Sequence, residues 1–205
     1  RNATRARANI LREFLTHSTK GNPFDHKEIA EALDLCLACK ACKSECPSGV
    51  DVAKLKMEFL QHYYDHYGVP LRSRAVAMQP RLYRLAAMVP HISNFFFRNK
   101  FFSKIIQKTI SFSTERSIPL MSTVNLRKQM RKIGEMRAEK PKKTIYLFID
   151  EFTRDLDTHI AVDAVTLFTK LGYEVRLVKS KESARTWLSK GLVRKAKKIA
   201  NANIA

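Results

Sequence analysis

Acid is scarce in this chain, and cysteine is confined to one short stretch of it. The 205 residues include 19 Asp and Glu against 38 Lys and Arg, a formal net charge of +19 at neutral pH. A field of that sign attracts nucleic acid, anionic lipid or an acidic protein surface, without choosing between them. No secretory signal stands at the N-terminus, which opens RNATRARANILREF, and the cysteines are too tightly packed to act as long-range staples. Together these absences argue against a disulfide framework. Long apolar runs are also missing: the central uncharged stretch LAAMVPHISNFFF is 13 residues long and broken by Pro90. A spanning helix needs roughly 20 apolar residues, so no transmembrane helix is expected. No Gly-rich phosphate loop occurs, so flavin or nucleotide binding within this segment is not expected. There is no initiator Met and the opening reads as a helix already in progress, which makes a fragment the expectation.

What is there allows a sizeable core. The chain is 45% hydrophobic and 28% charged, enough for one large or two small soluble domains. Three segments separate by composition. Residues 1–68 read as helix, helix, cysteine loop, helix. Ala6, Ile10, Leu11, Phe14 and Leu15 make an apolar stripe at helical spacing. GNP at 21–23 breaks the chain, and DHKE at 25–28 places Asp25 as N-cap with Glu28 three residues on, a capping-box pattern. Asp51 is positioned to cap a further helix whose face is Val52, Leu55, Phe59, Tyr63 and Tyr67.

Residues 69–143 form a basic, aromatic-rich helical connector. From residue 70 on it holds 17 Lys and Arg against three acids, Glu115, Glu135 and Glu139, so +14 of the net charge sits here. Pro70, Pro80, Pro90, Pro119 and Pro141 divide it into short helical pieces, and FFFRNKFF at 95–102 concentrates its phenylalanines. Residues 144–205 change period. TIYLFI (144–149) and YEVRLV (173–178) read as strands around a helix with Asp157 as cap, Ile160, Val165, Phe168 and Leu171 inward and Gly172 as stop. Strand–helix–strand at this spacing predicts a right-handed parallel βαβ unit, the start of an α/β domain that the chain leaves incomplete. The expected fold class is therefore α+β in two parts, a helical cysteine-bearing domain followed by a helical connector and an α/β beginning.

The chemistry-bearing stretch is CLACKACKSECPSGVD. Its spacing is C-x2-C-x2-C-x3-C-P, through Cys36, Cys39, Cys42, Cys46 and Pro47. Structural zinc fits poorly, because zinc knuckles come as two C-x2-C pairs separated by a dozen or more residues. A [4Fe–4S] cluster fits well: the run, proline included, is the bacterial ferredoxin pattern, in which the fourth cysteine of two-cluster proteins serves the other cluster. The neighbours Ala38, Ala41, Ser44, Ser48 and Gly49 are small, which lets backbone N–H groups approach sulfur. Lys40 and Lys43 can offset part of the charge of a thiolate-ligated cluster. The four cysteines are thus the candidate cluster ligands.

With this run go TRARANILREFL (4–15), ALDLCLACKACKSECPSGVDVAKLKMEFLQHYY (32–64) and RTWLSKGLVRKAKKIAN (185–201). Together they resemble the C-terminal iron–sulfur part of FAD-linked oxidases, which include D-lactate or D-2-hydroxyacid dehydrogenases fused to a 4Fe-4S module and the glycolate oxidase iron–sulfur subunit. The resemblance covers nearly the whole chain and is weakest across 70–140. It implies a helical ferredoxin-like domain and two [4Fe–4S] clusters shared with an upstream cysteine run that is absent here. It also implies FAD in a missing domain or partner subunit. Cys36, Cys39 and Cys42 would bind one cluster and Cys46 the other. A Cys-Cys-Gly motif expected in the α/β part has no counterpart, since no cysteine follows Cys46. Both departures fit truncation at each end.

The implied function is electron relay from flavin to a quinone or other acceptor, in an oxidoreductase whose substrate site lies elsewhere, so no catalytic residue is expected here. The implied location is cytoplasmic, with peripheral attachment to the inner face of the cell membrane left open. Two-cluster relatives such as anaerobic glycerol-3-phosphate dehydrogenase and heterodisulfide reductase subunits share this chemistry and remain open. A basic nucleic-acid-binding module with a structural metal is the rival from another class, although no nucleic-acid partner is expected. Secondary features read more plainly. His62 and His66 are expected to serve a packing face rather than a metal. Asp150, Glu151, Asp155 and Asp157 are expected to cap helices rather than hold a ligand. The aromatic, basic connector either packs against other domains or lies on an anionic membrane surface.

Overall fold

A computed structural model describes residues 3–22, 24–135 and 141–204; Pro23 and Glu139 fall outside them. The fold is mostly helical with one small parallel sheet, and the chain divides into two compact units. Unit one holds residues 1–77 and 184–201, and unit two holds 78–183 and 202–205. Segment 184–201, which composition groups with the α/β part, therefore belongs with the cysteine loop.

Unit one is built on α1 (Thr4–His17), α2 (Lys27–Asp34), α3 (Ala41–Glu45) and α4 (Val52–Tyr67). Its core gathers Leu11 and Phe14 from α1, Ile29 and Leu33 from α2, and Val52, Phe59 and Leu60 from α4. The rings of Phe14, Phe24 and Phe59 meet one another at centroid distances of 5.4 to 6.0 Å. The stripe predicted on α1 is only half used, since Ile10 and Leu15 face solvent, as do Leu55 and Tyr67 on α4. Asp51 caps α4 as expected, accepting from Lys54 N–H at 2.9 Å. The capping box at Asp25 does not form. His26 stands at the N-cap, the Asp25 carboxylate accepts from Tyr67 hydroxyl at 2.6 Å, and Glu28 turns to His26 Nδ1 at 2.7 Å.

The first turns of α5 (Leu71–Ala86), α11 (Arg185–Ser189) and most of α12 (Val193–Ile204) complete this unit. Thr186 hydroxyl donates to Ala77 carbonyl at 3.0 Å, and Arg194 grips the Asp65 carboxylate with two bonds of 2.7 Å. Gly191 joins α11 to α12 at φ 72°, where a Cβ would stand 2.3 Å from Leu60 Cβ. Only a residue without a side chain lets the turn press this closely on α4.

Unit two continues α5 and adds α6 (Pro90–Arg98), α7 (Lys100–Thr109), α8 (Leu126–Glu135), β1 (Thr144–Leu147), α9 (Glu151–Asp155), α10 (Thr158–Lys170) and β2 (Glu174–Leu177). Pro80 lies inside α5 rather than between helices, whereas Pro90 opens α6, where its missing N–H costs nothing. The predicted strands pair in parallel with Thr144 opposite Glu174 and Leu147 opposite Leu177, and α10 makes the crossover. Ala161 and Val165 are the buried face of α10, while Ile160 and Leu171, expected inward, are exposed. One face of the two-stranded sheet is bare as well, with Tyr146, Phe148 and Val178 open to solvent. No helix among the described residues is long and apolar enough to cross a membrane.

Candidate metal centre

The cysteine loop leaves α2 at Leu35 and re-enters helix at α3. Cys36 N–H still bonds Leu33 carbonyl at 3.0 Å, so the first cysteine rides on the last turn of α2. Then the backbone coils. Ala38 (φ 55°) and Lys40 (φ 62°) are both in the left-handed region, which costs a non-glycine residue strain and persists only where the surroundings impose it. The coil turns Ala38 N–H back onto Cys36 Sγ at 3.4 Å. Past α3 a related turn follows: Gly49 (φ 62°) donates its N–H to Cys46 carbonyl at 2.9 Å, and the nearby N–H groups of Val50, Ser48 and Gly49 favour thiolate, placing the Cys46 thiol below the usual cysteine value. Amides aimed at sulfur stabilise thiolate, the form that binds metal.

Cys36, Cys42 and Cys46 are half-buried, and Cys39 is exposed. Cys42 packs on the core of unit one. With Cys46 it lines a cleft of about 480 Å³ whose far wall is Thr4, Arg5 and Ala8 of α1. Cys39 stands in a separate concavity with Lys40, Lys43 and Ser44. Among the described residues, no three His, Cys, Asp or Glu side chains are grouped to hold one metal ion. A cubane differs from a single ion in taking one thiolate at each of several iron corners. The donor set fits it in kind: four thiols, two with amides directed at them.

Two residues outside the motif position the loop. Lys56, on the second turn of α4, is only 1% exposed and its Nζ donates to Cys36 carbonyl at 2.5 Å. Burial pushes its ammonium below the ordinary lysine value, and the nearby Cys36 acts in the opposite sense. Arg7 of α1 donates from Nε to Ala32 carbonyl at 3.1 Å, tying the TRARAN helix to α2 just ahead of Cys36. Lys40 reaches Asp51 at 3.1 Å and so ties the middle of the loop to the cap of α4. That carboxylate lies below its usual range, first through Lys54 N–H and then through Lys40. Sequence reasoning missed Lys56, although a signal exists: it falls in register with Val52, Phe59 and Leu60 on an otherwise apolar stripe.

The secondary features behave differently from one another, and Asp157, expected as a cap, stands at the N-cap of α10 with no side-chain cap bond. His62 stacks on Phe24 at 4.5 Å between centroids. Asp150 caps α9 through Thr153 N–H at 2.7 Å, and Asp155 is held by Arg154 at 2.8 and 2.6 Å. Glu151 is not a surface cap: it is buried, accepting from Ser183 N–H and hydroxyl at 2.9 and 2.8 Å.

No family model and no solved structure matches the chain. It is 32% identical to D-2-hydroxyglutarate dehydrogenase of Escherichia coli K12 over 195 residues, which is 90% of this chain and 19% of that protein. It is 27% identical over 192 residues to D-2-hydroxyglutarate dehydrogenase of Haemophilus influenzae, covering 88% of this chain and 18% of that protein. For D-2-hydroxyglutarate dehydrogenase of Pantoea ananatis the identity is 26% over 196 residues, 90% of this chain and 19% of that protein. The chain is thus similar, over most of its own length, to about a fifth of the length of these D-2-hydroxyglutarate dehydrogenases.

Proposed function

We propose that this chain is the iron–sulfur electron-relay segment of a flavin-linked dehydrogenase acting on a D-2-hydroxy acid, with D-2-hydroxyglutarate as the substrate its relatives' names point to. The observation that carries the reading is the cysteine loop, in which four thiols at ferredoxin spacing meet backbone amides directed at Cys36 and Cys46. When bound, a [4Fe–4S] cluster supplies one-electron transfer, which a two-electron flavin needs to hand its electrons on singly. Cys36, Cys39 and Cys42 are assigned to one cluster. Cys46 is assigned to a second, whose remaining thiolates come from outside this chain. FAD and the substrate site belong to a flavin domain or flavoprotein subunit, and the acceptor is a quinone or another redox partner.

The chain's own residues have three tasks here. The left-handed turns at Ala38, Lys40 and Gly49 direct N–H groups inward and help hold the sulfurs as thiolates. Lys40, Lys43 and Lys56 bring positive charge to a site that ionised thiolates make negative. Arg7 and Lys56 fasten the entry to the loop from two different helices.

Anaerobic reconstitution with iron and sulfide tests this directly. The expected product is brown, with broad visible absorbance that bleaches on reduction, and carries at most one labile cluster per chain. A colourless protein holding stoichiometric zinc would sink the proposal. Two clusters stably held by the 205-residue chain would refute the separate assignment of Cys46.

A further inference from the structure

The pair α6–α7 turns its apolar side outward. A helix on a water-soluble unit normally buries its apolar stripe and exposes its polar one. Here the buried side chains are Asn94 (8% exposed), Ser103 and Gln107 (4%), whereas Phe95 (62%) and Phe101 (68%) stand in solvent beside Ile92, Phe96, Phe102 and Ile105. The inversion has a local cause. The Asn94 amide bonds Met121 backbone in both directions, at 2.9 and 2.8 Å, and Gln107 donates to Arg116 carbonyl at 2.5 Å. The polar faces are occupied in satisfying the irregular segment after α7, whose buried backbone groups need partners. That leaves the apolar faces free.

These side chains form one strip. Ring contacts run from Phe95 to Phe96 at 5.6 Å, from Phe96 across to Phe102 at 5.0 Å, and from Phe102 to Phe101 at 5.6 Å. Asn99 sets the corner between the helices, accepting from Phe101 N–H at 3.0 Å and Phe102 N–H at 3.4 Å. Arg98 and Lys100 flank that corner, and Lys104 and Lys108 follow Phe101 and Ile105 at a spacing of three residues, on the same side of α7. No Asp or Glu occurs between Asp65 and Glu115. A cleft of about 490 Å³ beside the strip places His91 and Arg98 next to Phe95.

From this geometry we infer that α6–α7 is a docking surface for an anionic lipid bilayer, with the phenylalanine strip seated among the acyl chains and Arg98, Lys100, Lys104 and Lys108 at the headgroup phosphates. Exposed aromatic rings edged by cations, with no acid to be repelled, match an interfacial helix pair. The inference concerns unit two and stands or falls independently of the cluster.

The test uses the full chain and cosedimentation with vesicles, comparing phosphatidylglycerol/phosphatidylcholine mixtures with phosphatidylcholine alone. Binding is expected on the anionic vesicles, weakened by salt, and absent on the neutral ones. The pair Phe95→Ser and Phe101→Ser, both exposed and so compatible with folding, should lower partitioning at least about tenfold with unchanged circular dichroism. Lys104→Gln with Lys108→Gln should lower it on the order of 25-fold. Binding that the phenylalanine pair leaves intact would reduce the effect to net charge and overturn the assignment. So would failure to bind anionic vesicles at low salt. Self-association, or capture of a single-stranded oligonucleotide, that the phenylalanine pair abolishes in the absence of vesicle binding would assign the strip to another partner and overturn it equally.

Discussion

Lys56→Met separates what the buried lysine does for folding from what it does for the cysteine loop. Methionine keeps an unbranched apolar stem and fills much of the same space, but it carries no donor. Two terms then change with opposite sign. The Cys36 carbonyl loses a charge-assisted bond of 2.5 Å, a kind of bond worth about 1.5–3 kcal/mol. Against this, an ammonium that is 1% exposed no longer has to leave water, and its lowered pKa signals that burial disfavours the charge. Global stability should therefore change by no more than about 1 kcal/mol, because the two terms largely offset each other. The loop receives no such compensation. Amide exchange across residues 36–40 should accelerate by roughly 10- to 100-fold, the equivalent of losing the carbonyl's bond. Hydrogen exchange resolved by mass spectrometry, with urea denaturation on the same samples, reads both quantities without any cluster present. Loop protection equal to wild type would refute the clamp. A loss of several kcal/mol in global stability would show that Lys56 is instead a pillar of the core.

Gly191→Ala should destabilise unit one by about 2–4 kcal/mol, since the new Cβ meets Leu60 Cβ at 2.3 Å in a left-handed turn; a denaturation midpoint equal to wild type would contradict that packing. Asp65 lies below its usual range chiefly because Arg194 donates to it, so the pair's stabilisation is present above an unfolded value of about 3.9 and fades as pH falls through the lower folded value. Asp65→Asn should accordingly cost about 0.5–1 kcal/mol at neutral pH and low salt. The difference from wild type should shrink as pH falls below the unfolded value of about 3.9, and a difference independent of pH across the acid range would disprove the linkage.

Much of the candidate centre is legible in the order of residues. Four cysteines at three- and four-residue intervals define the loop, and their spacing alone limits which centre the thiols could reach. Asp51 caps the following helix as its position predicts, and the two short β-rich runs pair in parallel because the helical crossover between them, α9 and then α10, returns the chain to the same end of the sheet. Local chemistry decides these features, and local chemistry is written in the sequence.

Other features depend on contacts between residues far apart in the chain. Asp25 fits a capping-box pattern, yet Tyr67, 42 positions away, claims its carboxylate. A helical stripe names the residues that share a face but not the direction that face points. On α1 and α10 part of the stripe is turned to solvent, and on α6–α7 the polar face is the buried one because Asn94 and Gln107 must satisfy distant carbonyl and N–H groups. The apolar stripe of α4 sets Lys56 apart, but what its ammonium meets is decided only when the fold carries the Cys36 carbonyl to it. The thiols and their spacing belong to the sequence alone; the amides turned toward them, the buried charge behind them and the outward phenylalanines exist only once the chain has closed on itself.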